Sequence, residues 1–230
     1  STLPVRLRLF SRNCSSRQQI CRLLVRVCDA VHYAHQHGVI HRDLKPGNVL
    51  VDELERPRLL DFGLSRITGA EGREFSMLTR TGEFLGTPRY VSPEQALREP
   101  SEVDERTDVY ALGVILYELI VGVPPYPVDQ ARGLKLMEVL TTSDPLAPSA
   151  LHPEISRDLE LILLKAVSPD KERRYQSAEA LARDMENWLA DRPIEARVEL
   201  VGDGDLQVLA EVRVALVLPD GTEEMIPVVQ

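Results

Sequence analysis

Asp43, Lys45 and Asn48 fall within one short stretch, His41-Arg42-Asp43-Leu44-Lys45-Pro46-Gly47-Asn48. An acid two residues before a Lys and five before an Asn equips a single loop with three tools. The carboxylate accepts a hydroxyl proton, the ammonium neutralises a migrating phosphoryl group, and the amide carbonyl holds a metal ion. A second acid, Asp61, follows the apolar pair Leu59-Leu60 and precedes Phe62-Gly63, so a strand end delivers it onto a flexible turn. That is where a second Mg²⁺ ligand is wanted. The two stretches together read as a phosphate-transfer site.

Other elements must position these groups. From Ser16, a helix cap, Ile20, Leu23, Leu24, Val27, Val31 and Ala34 recur at steps of three and four, giving an amphipathic helix that Gly38 ends. Val39-Ile40 then forms a short extended entry to the loop. After Asn48, Val49-Leu50-Val51 and Arg58-Leu59-Leu60 read as two short strands joined by a polar turn at 52–57. Asp108 opens a helix that is apolar nearly all round and must be surrounded by protein, with Gly122 and Pro124-Pro125 stopping it. Further helices are expected at about 129–141, 156–167 and 177–190, with Ser156 and Ser177 as caps. Beyond Pro193 the period changes to two, from Val208 through Leu218. Pro219-Asp220-Gly221 then makes a turn before Met225 to Val229, which predicts a β-hairpin tail.

The chain resembles the eukaryotic-type protein kinase family, whose catalytic loop reads H-R-D-L-x-x-x-N and whose metal loop reads D-F-G. Both motifs match in full, in the right order and with a strand-sized gap between them. Tyr33-Ala34-His35, Leu44-Lys45-Pro46-Gly47-Asn48 and Tyr90-Val91-Ser92-Pro93-Glu94-Gln95 give the likeness a bacterial Ser/Thr kinase character. The resemblance implies a mainly α (α+β) fold: a kinase C-terminal lobe over 16–192, short β-strands at the catalytic cleft, a linker or hinge remnant over 1–15 and a β-rich tail over 193–230. It implies transfer of the γ-phosphate of ATP to a protein Ser or Thr hydroxyl, with ATP and Mg²⁺ as cofactors.

Residue by residue, the same resemblance makes Asp43 the group that orients and deprotonates the acceptor and Lys45 a charge stabiliser at the phosphates. Asn48 and Asp61 become the metal ligands. Leu50 takes the position of the floor under the adenine ring, with plain core packing an equal alternative. Gly86-Thr87-Pro88-Arg89-Tyr90-Val91-Ser92-Pro93-Glu94 resembles the loop that positions substrate, with Ser-Pro-Glu where the family usually has Ala-Pro-Glu. Thr87 and Lys45 favour Ser or Thr as acceptor. Glu94 should be held by a distant Arg, for which Arg174 is the best candidate, and Asp108 should receive hydrogen bonds from the catalytic-loop backbone. Between Gly63 and Gly86 lies a polar segment in which Thr79 or Thr81 is the expected phosphate acceptor, gripped by Arg42. The alternative is that these are solvated loop hydroxyls.

The family also places a small β lobe ahead of this region, carrying a glycine-rich lid, a strand Lys and a helix Glu. None can be found in the forty residues upstream of His41. The expectation is a C-terminal lobe alone, weak or inactive in isolation and completed by an N-lobe or a partner chain. The alternatives are a non-catalytic kinase-like binding module and a truncated fragment.

Composition narrows the partners. A chain of 230 residues with 43% hydrophobic content can bury a sizeable core. A formal charge of −9 argues against nucleic acid as the main partner and favours a protein substrate. Cys14, Cys21 and Cys28, spaced by seven, read as small apolar residues in a reducing compartment rather than zinc ligands. His32, His35 and His37 read as helix-end histidines favoured by the helix dipole rather than a metal cluster. No signal peptide is visible at Ser1 to Arg6, and the most apolar run, Tyr110 to Val123, is too short for a membrane span and is interrupted by Glu118. A cytoplasmic chain is expected, whether or not a longer parent is membrane-anchored.

Overall fold

A computed structural model describes residues 5–6, 16–52, 54, 56–61, 88–97, 103–127 and 134–196, together with strands at 199–200, 208–209, 213–217 and 223–227. Helix α1 (Arg17–Gln36) starts where Ser16 caps it, the Ser16 Oγ accepting from the Gln19 N–H at 3.3 Å. Its apolar stripe, Ile20, Leu23, Leu24, Val27 and Val31 together with Cys21 and Cys28, is buried. Both cysteines are free thiols, and burial pushes the Cys21 thiol up to about 12. Cys14 lies outside the described residues.

Helix α1 leads through the loop at 41–45 and a 3₁₀ turn (Pro46–Asn48) into a three-stranded antiparallel sheet. Its order is β1 (Val5–Arg6), β2 (Val49–Val51), β3 (Pro57–Leu59), with Val5 opposite Val51 and Val49 opposite Leu59. Strand β3 sits one residue earlier than its sequence pattern indicates, and Leu60 still donates its N–H to the Asn48 carbonyl at 2.8 Å. Pro57 has no donor to give, which suits an edge strand. Strand β1 carries no sequence signal, since two residues cannot show a period. Its pairing with β2 is a long-range event.

A short helix α2 (Pro93–Ala96) precedes the central helix α3 (Arg106–Val121), which is buried on all sides apart from its first residue and Leu119. Helix α3 begins two residues before Asp108 and ends at Gly122, whose φ of +87° supplies the left-handed C-cap. Helix α4 (Leu134–Thr142), a short α5 (Pro148–Leu151), α6 (Arg157–Ala166) and α7 (Ala178–Leu189) follow. Ser156 and Ser177 cap α6 and α7 through bonds from the N–H groups of Leu159 and Ala180. Helices α2 and α5 span only one turn each, too short to show a helical period in the sequence.

Helix α1 packs along α7 and α3, and α3 packs on α6. The α3–α6 contact is so close that a Cβ built on Gly113 would lie 2.8 Å from the Ala166 backbone. Packing on this helical body runs on to Ile194 and Ala196, past the boundary expected at 192. The alternating stretch from Val208 to Leu218, expected as one strand, carries two among its described residues. Strand β5 (Val208–Leu209) pairs with β4 (Glu199–Leu200), while β6 (Arg213–Val217) pairs with β7 (Glu223–Pro227) as a hairpin. One half turns to an upstream partner and the other to a downstream one, which alternation alone cannot show. No helix among the described residues is long and apolar enough to cross a membrane.

Candidate functional site

The loop at 41–45 hangs from the central helix by one carboxylate. Asp108, 1% exposed, accepts from the backbone N–H of His41 through Oδ2 and from that of Arg42 through Oδ1, each at 2.8 Å. Its Oδ2 also accepts from His35 Nε2 at 2.8 Å. The dipole reading of the helix-end histidines therefore does not account for His35, which is buried at the end of α1 and braces Asp108. His37 stays local, bonded to the Tyr33 carbonyl, while His32 accepts from the Gln36 amide and lies 3.8 Å from the Glu179 carboxylate on α7.

His41 is the second bracket. Its Nδ1 accepts the Asp43 N–H at 3.3 Å, which fixes the other ring nitrogen as the donor. That Nε2 bonds the Leu60 carbonyl at 2.8 Å, immediately before Asp61. One imidazole thus ties the Asp43 loop to the end of the strand bearing Asp61. Both regions also hold strained backbone: Arg42 and Asp61 have φ of 67° and 59°, left-handed values that non-glycine residues adopt rarely and at a cost of about 1–2 kcal/mol. Such strain persists only where neighbours over-determine the conformation.

Within the loop, Asp43, Lys45 and Asn48 come together. Lys45 Nζ lies 2.7 Å from Asp43 Oδ2, and Asn48 Nδ2 donates to the same oxygen at 3.1 Å and to the Asp43 carbonyl at 2.9 Å. Asn48 is buried while Asp43 and Asp61 are exposed. With its amide hydrogens turned to Asp43, Asn48 is left with its carbonyl oxygen, the atom a metal would use. Leu50 is half-buried on β2. Arg42 is half-buried, and its guanidinium has no ion-pair partner among the described residues.

A second cluster fixes the stretch at 88–97. Arg174, 1% exposed, spends all five donors: Nε on the Ser168 carbonyl, Nη1 on Glu94 Oε1 and the Arg106 carbonyl, Nη2 on Glu94 Oε2 and the Pro169 carbonyl. Its Cζ lies 4.9 Å from the centre of the Tyr110 ring. The Thr107 hydroxyl also donates to Glu94, at 2.9 Å. Burial pushes the Glu94 carboxyl up, but Arg174 and Thr107 outweigh it and hold it below the ordinary glutamate range. Glu118, visible in the sequence only as an interruption of an apolar run, is buried and accepts from Arg89 at 2.6 Å and from the Tyr90 hydroxyl at 2.5 Å. Thr79, Thr81, Thr87 and the Phe62-Gly63 pair lie outside the described residues.

Comparison with known proteins meets this geometry from the other side. The protein kinase domain family model matches residues 5–185. The chain is 36% identical over 179 residues to serine/threonine-protein kinase PknB of Mycobacterium leprae, a match covering 78% of this chain and 28% of that protein. It is 38% identical over 169 residues to PknB of Mycobacterium tuberculosis, covering 74% and 26%. With serine/threonine-protein kinase pkn3 of Myxococcus xanthus it shares 39% identity over 174 residues, covering 73% and 31%. The chain belongs to the protein kinase family. It spans about a quarter to a third of the length of these relatives. The bacterial Ser/Thr kinase character of its sequence motifs agrees with the names of these relatives, and within this kinase chain the mainly helical body corresponds to the C-terminal lobe the motifs imply.

Proposed function

We propose that this kinase chain carries the acceptor-side and metal-side half of a Ser/Thr phosphotransferase site that moves the γ-phosphate of ATP to a protein hydroxyl. The observation that carries the reading is the convergence of Lys45 and Asn48 on one oxygen of Asp43. Both bonds fall on Oδ2, so Oδ1 is left to accept the proton of an incoming Ser or Thr hydroxyl. Lys45, on the same side, neutralises charge that accumulates at the phosphate as the hydroxyl attacks. Asn48, through its carbonyl oxygen, and Asp61, exposed at the end of β3, would hold Mg²⁺. A hard cation that keeps several waters needs only one or two such protein oxygens. When bound, ATP and Mg²⁺ supply the transferable group and the electrophilic clamp on its oxygens. Leu50, half-buried on β2, would underlie the adenine.

Regulation follows from Arg42. An Arg without an ion-pair partner among the described residues, next to Asp43, suits a phosphate placed on Thr79 or Thr81, which would order the segment between Gly63 and Gly86. Thr87 would contribute to acceptor choice. Mass mapping of active protein that finds 63–86 unphosphorylated contradicts this assignment.

The 230-residue chain by itself is expected to turn over slowly, because most of the rate in phosphoryl transfer comes from positioning at the phosphates, and the lid and strand Lys have no counterpart ahead of His41. The test is phosphate incorporation into a Ser/Thr peptide, followed by mass spectrometry. Asp43→Asn, which keeps shape but not basicity, is expected to lower transfer by about 10²–10⁴-fold. Transfer that survives this substitution overturns the assignment of Asp43.

A further inference from the structure

Gln95 follows the Ser-Pro-Glu stretch and has no role in the transfer chemistry described above. Its side chain nevertheless reaches Arg42, with Nε2 donating to the Arg42 carbonyl at 2.8 Å. The orientation of the amide is settled at both ends. Oε1 accepts from the Ser92 N–H at 3.1 Å and from the Ser92 hydroxyl at 3.3 Å, while Ser92 Oγ accepts the Gln95 N–H at 3.4 Å. This is a capping box at the start of α2. It assigns the oxygen to Ser92 and leaves the amide nitrogen for Arg42.

The bond falls on the strained residue of the loop. Arg42 is left-handed at φ 67°, and its N–H is held by Asp108 Oδ1. Gln95 holds its other end. Because a peptide unit is planar, fixing the Arg42 carbonyl also fixes the plane that carries the Asp43 N–H toward His41 Nδ1. The Ser in place of the family's usual Ala gains a purpose as well, since its hydroxyl both accepts from and donates to Gln95.

We propose that Gln95, anchored by Ser92, is a positioning residue that ties the stretch at 88–97 to the loop bearing Asp43 and keeps Arg42 in its left-handed conformation. The stretch at 88–97 is itself anchored to α3 through Glu118 and to Arg174 through Glu94. Gln95 therefore links that substrate-side frame directly to the transfer loop. The consequence for catalysis rests on the phosphotransferase reading; the latch itself does not.

The test uses Gln95→Glu, which keeps an oxygen for the capping box and loses the N–H donor, alongside Gln95→Ala. Amide hydrogen exchange on the 230-residue chain is expected to rise about tenfold at Arg42 and Asp43 in Gln95→Glu. Exchange in α3 and the melting temperature should stay as in the wild type. In the peptide phosphorylation assay, kcat should fall about tenfold with the KM for ATP unchanged, a split that general destabilisation does not produce. Unaltered exchange at Arg42 and Asp43 overturns the latch. So does exchange that accelerates equally in α3, while an unchanged kcat over a loosened loop overturns the consequence for catalysis. A wild-type chain that transfers no phosphate contradicts the phosphotransferase reading, and the exchange measurement still decides the latch.

Discussion

Two carboxylates do most of the organising at the residue scale, and neither is Asp43. Asp108 collects three donors from two separate stretches of chain, and its loss would orphan two of them in a buried setting and the Arg42 N–H in a half-buried one. Asp108→Ala is expected to cost on the order of 3–5 kcal/mol in urea unfolding, the lower part of what three stranded groups at roughly 1–3 kcal/mol each would span, because the Arg42 N–H is only part-buried. A cost under about 1 kcal/mol would show that the loop does not depend on it. Glu94 and Arg174 form the other node. Removing either partner alone is expected to cost about 3–5 kcal/mol, because the survivor is left charged and buried. Arg174→Lys should recover little of it, since an ammonium cannot serve five donors in a fixed plane. The pH dependence follows from the depressed Glu94 carboxyl. A lowered folded-state value means that the stabilisation is complete above the ordinary glutamate value, about 4.3, and fades as pH falls through the lower folded value. Stability of the wild type should thus drop on acidification below about pH 4.3, and the drop should be shallower in Glu94→Gln. An equally steep drop in the variant would place the acid sensitivity elsewhere.

At the scale of elements, local chemistry was legible and long-range partnership was not. Ser16, Ser156 and Ser177 mark three helix starts because a capping hydroxyl acts within its own turn. Asp108 and the apolar run after it mark α3 because burial on all sides needs apolar residues on all sides. By contrast, His35 reads from the sequence as a helix-end histidine, since its partner lies 73 residues away. The bonding of Gln95 to Arg42 spans 53 residues and was invisible for the same reason. Strand β1 and the one-turn helices α2 and α5 are too short to carry a period. The Asp43, Lys45 and Asn48 grouping could be read from spacing because all three share one loop. The closest helix contact gives a test of packing against propensity. Gly113→Ala should gain up to about 1 kcal/mol of helix propensity. It would nevertheless drive a methyl to 2.8 Å from the Ala166 backbone, and neither helix can yield without disturbing a buried face. A net loss of about 1–3 kcal/mol is expected, and a melting temperature that rises would show that α3 and α6 can part freely.

Across the whole molecule, the helical body gathers the loop bearing Asp43, the chain after β3 that leads to Asp61 and the stretch at 88–97 around α3, and three brackets connect them: Asp108, His41 and the Glu94–Arg174 pair. All three are made within the helical body, so the order of the loop bearing Asp43 rests on contacts of the body itself. On the proposed phosphotransferase reading, order and activity are separable, with the loop geometry intrinsic to this body and the rate dependent on what closes over the nucleotide. The most direct measurement of that claim is calorimetric titration of ATP into the 230-residue chain with and without Mg²⁺, repeated on Asp61→Asn. The account predicts weak binding that requires Mg²⁺ and disappears in Asp61→Asn while the melting temperature is kept. Binding that ignores Mg²⁺ or survives Asp61→Asn, or the absence of any binding, would contradict it.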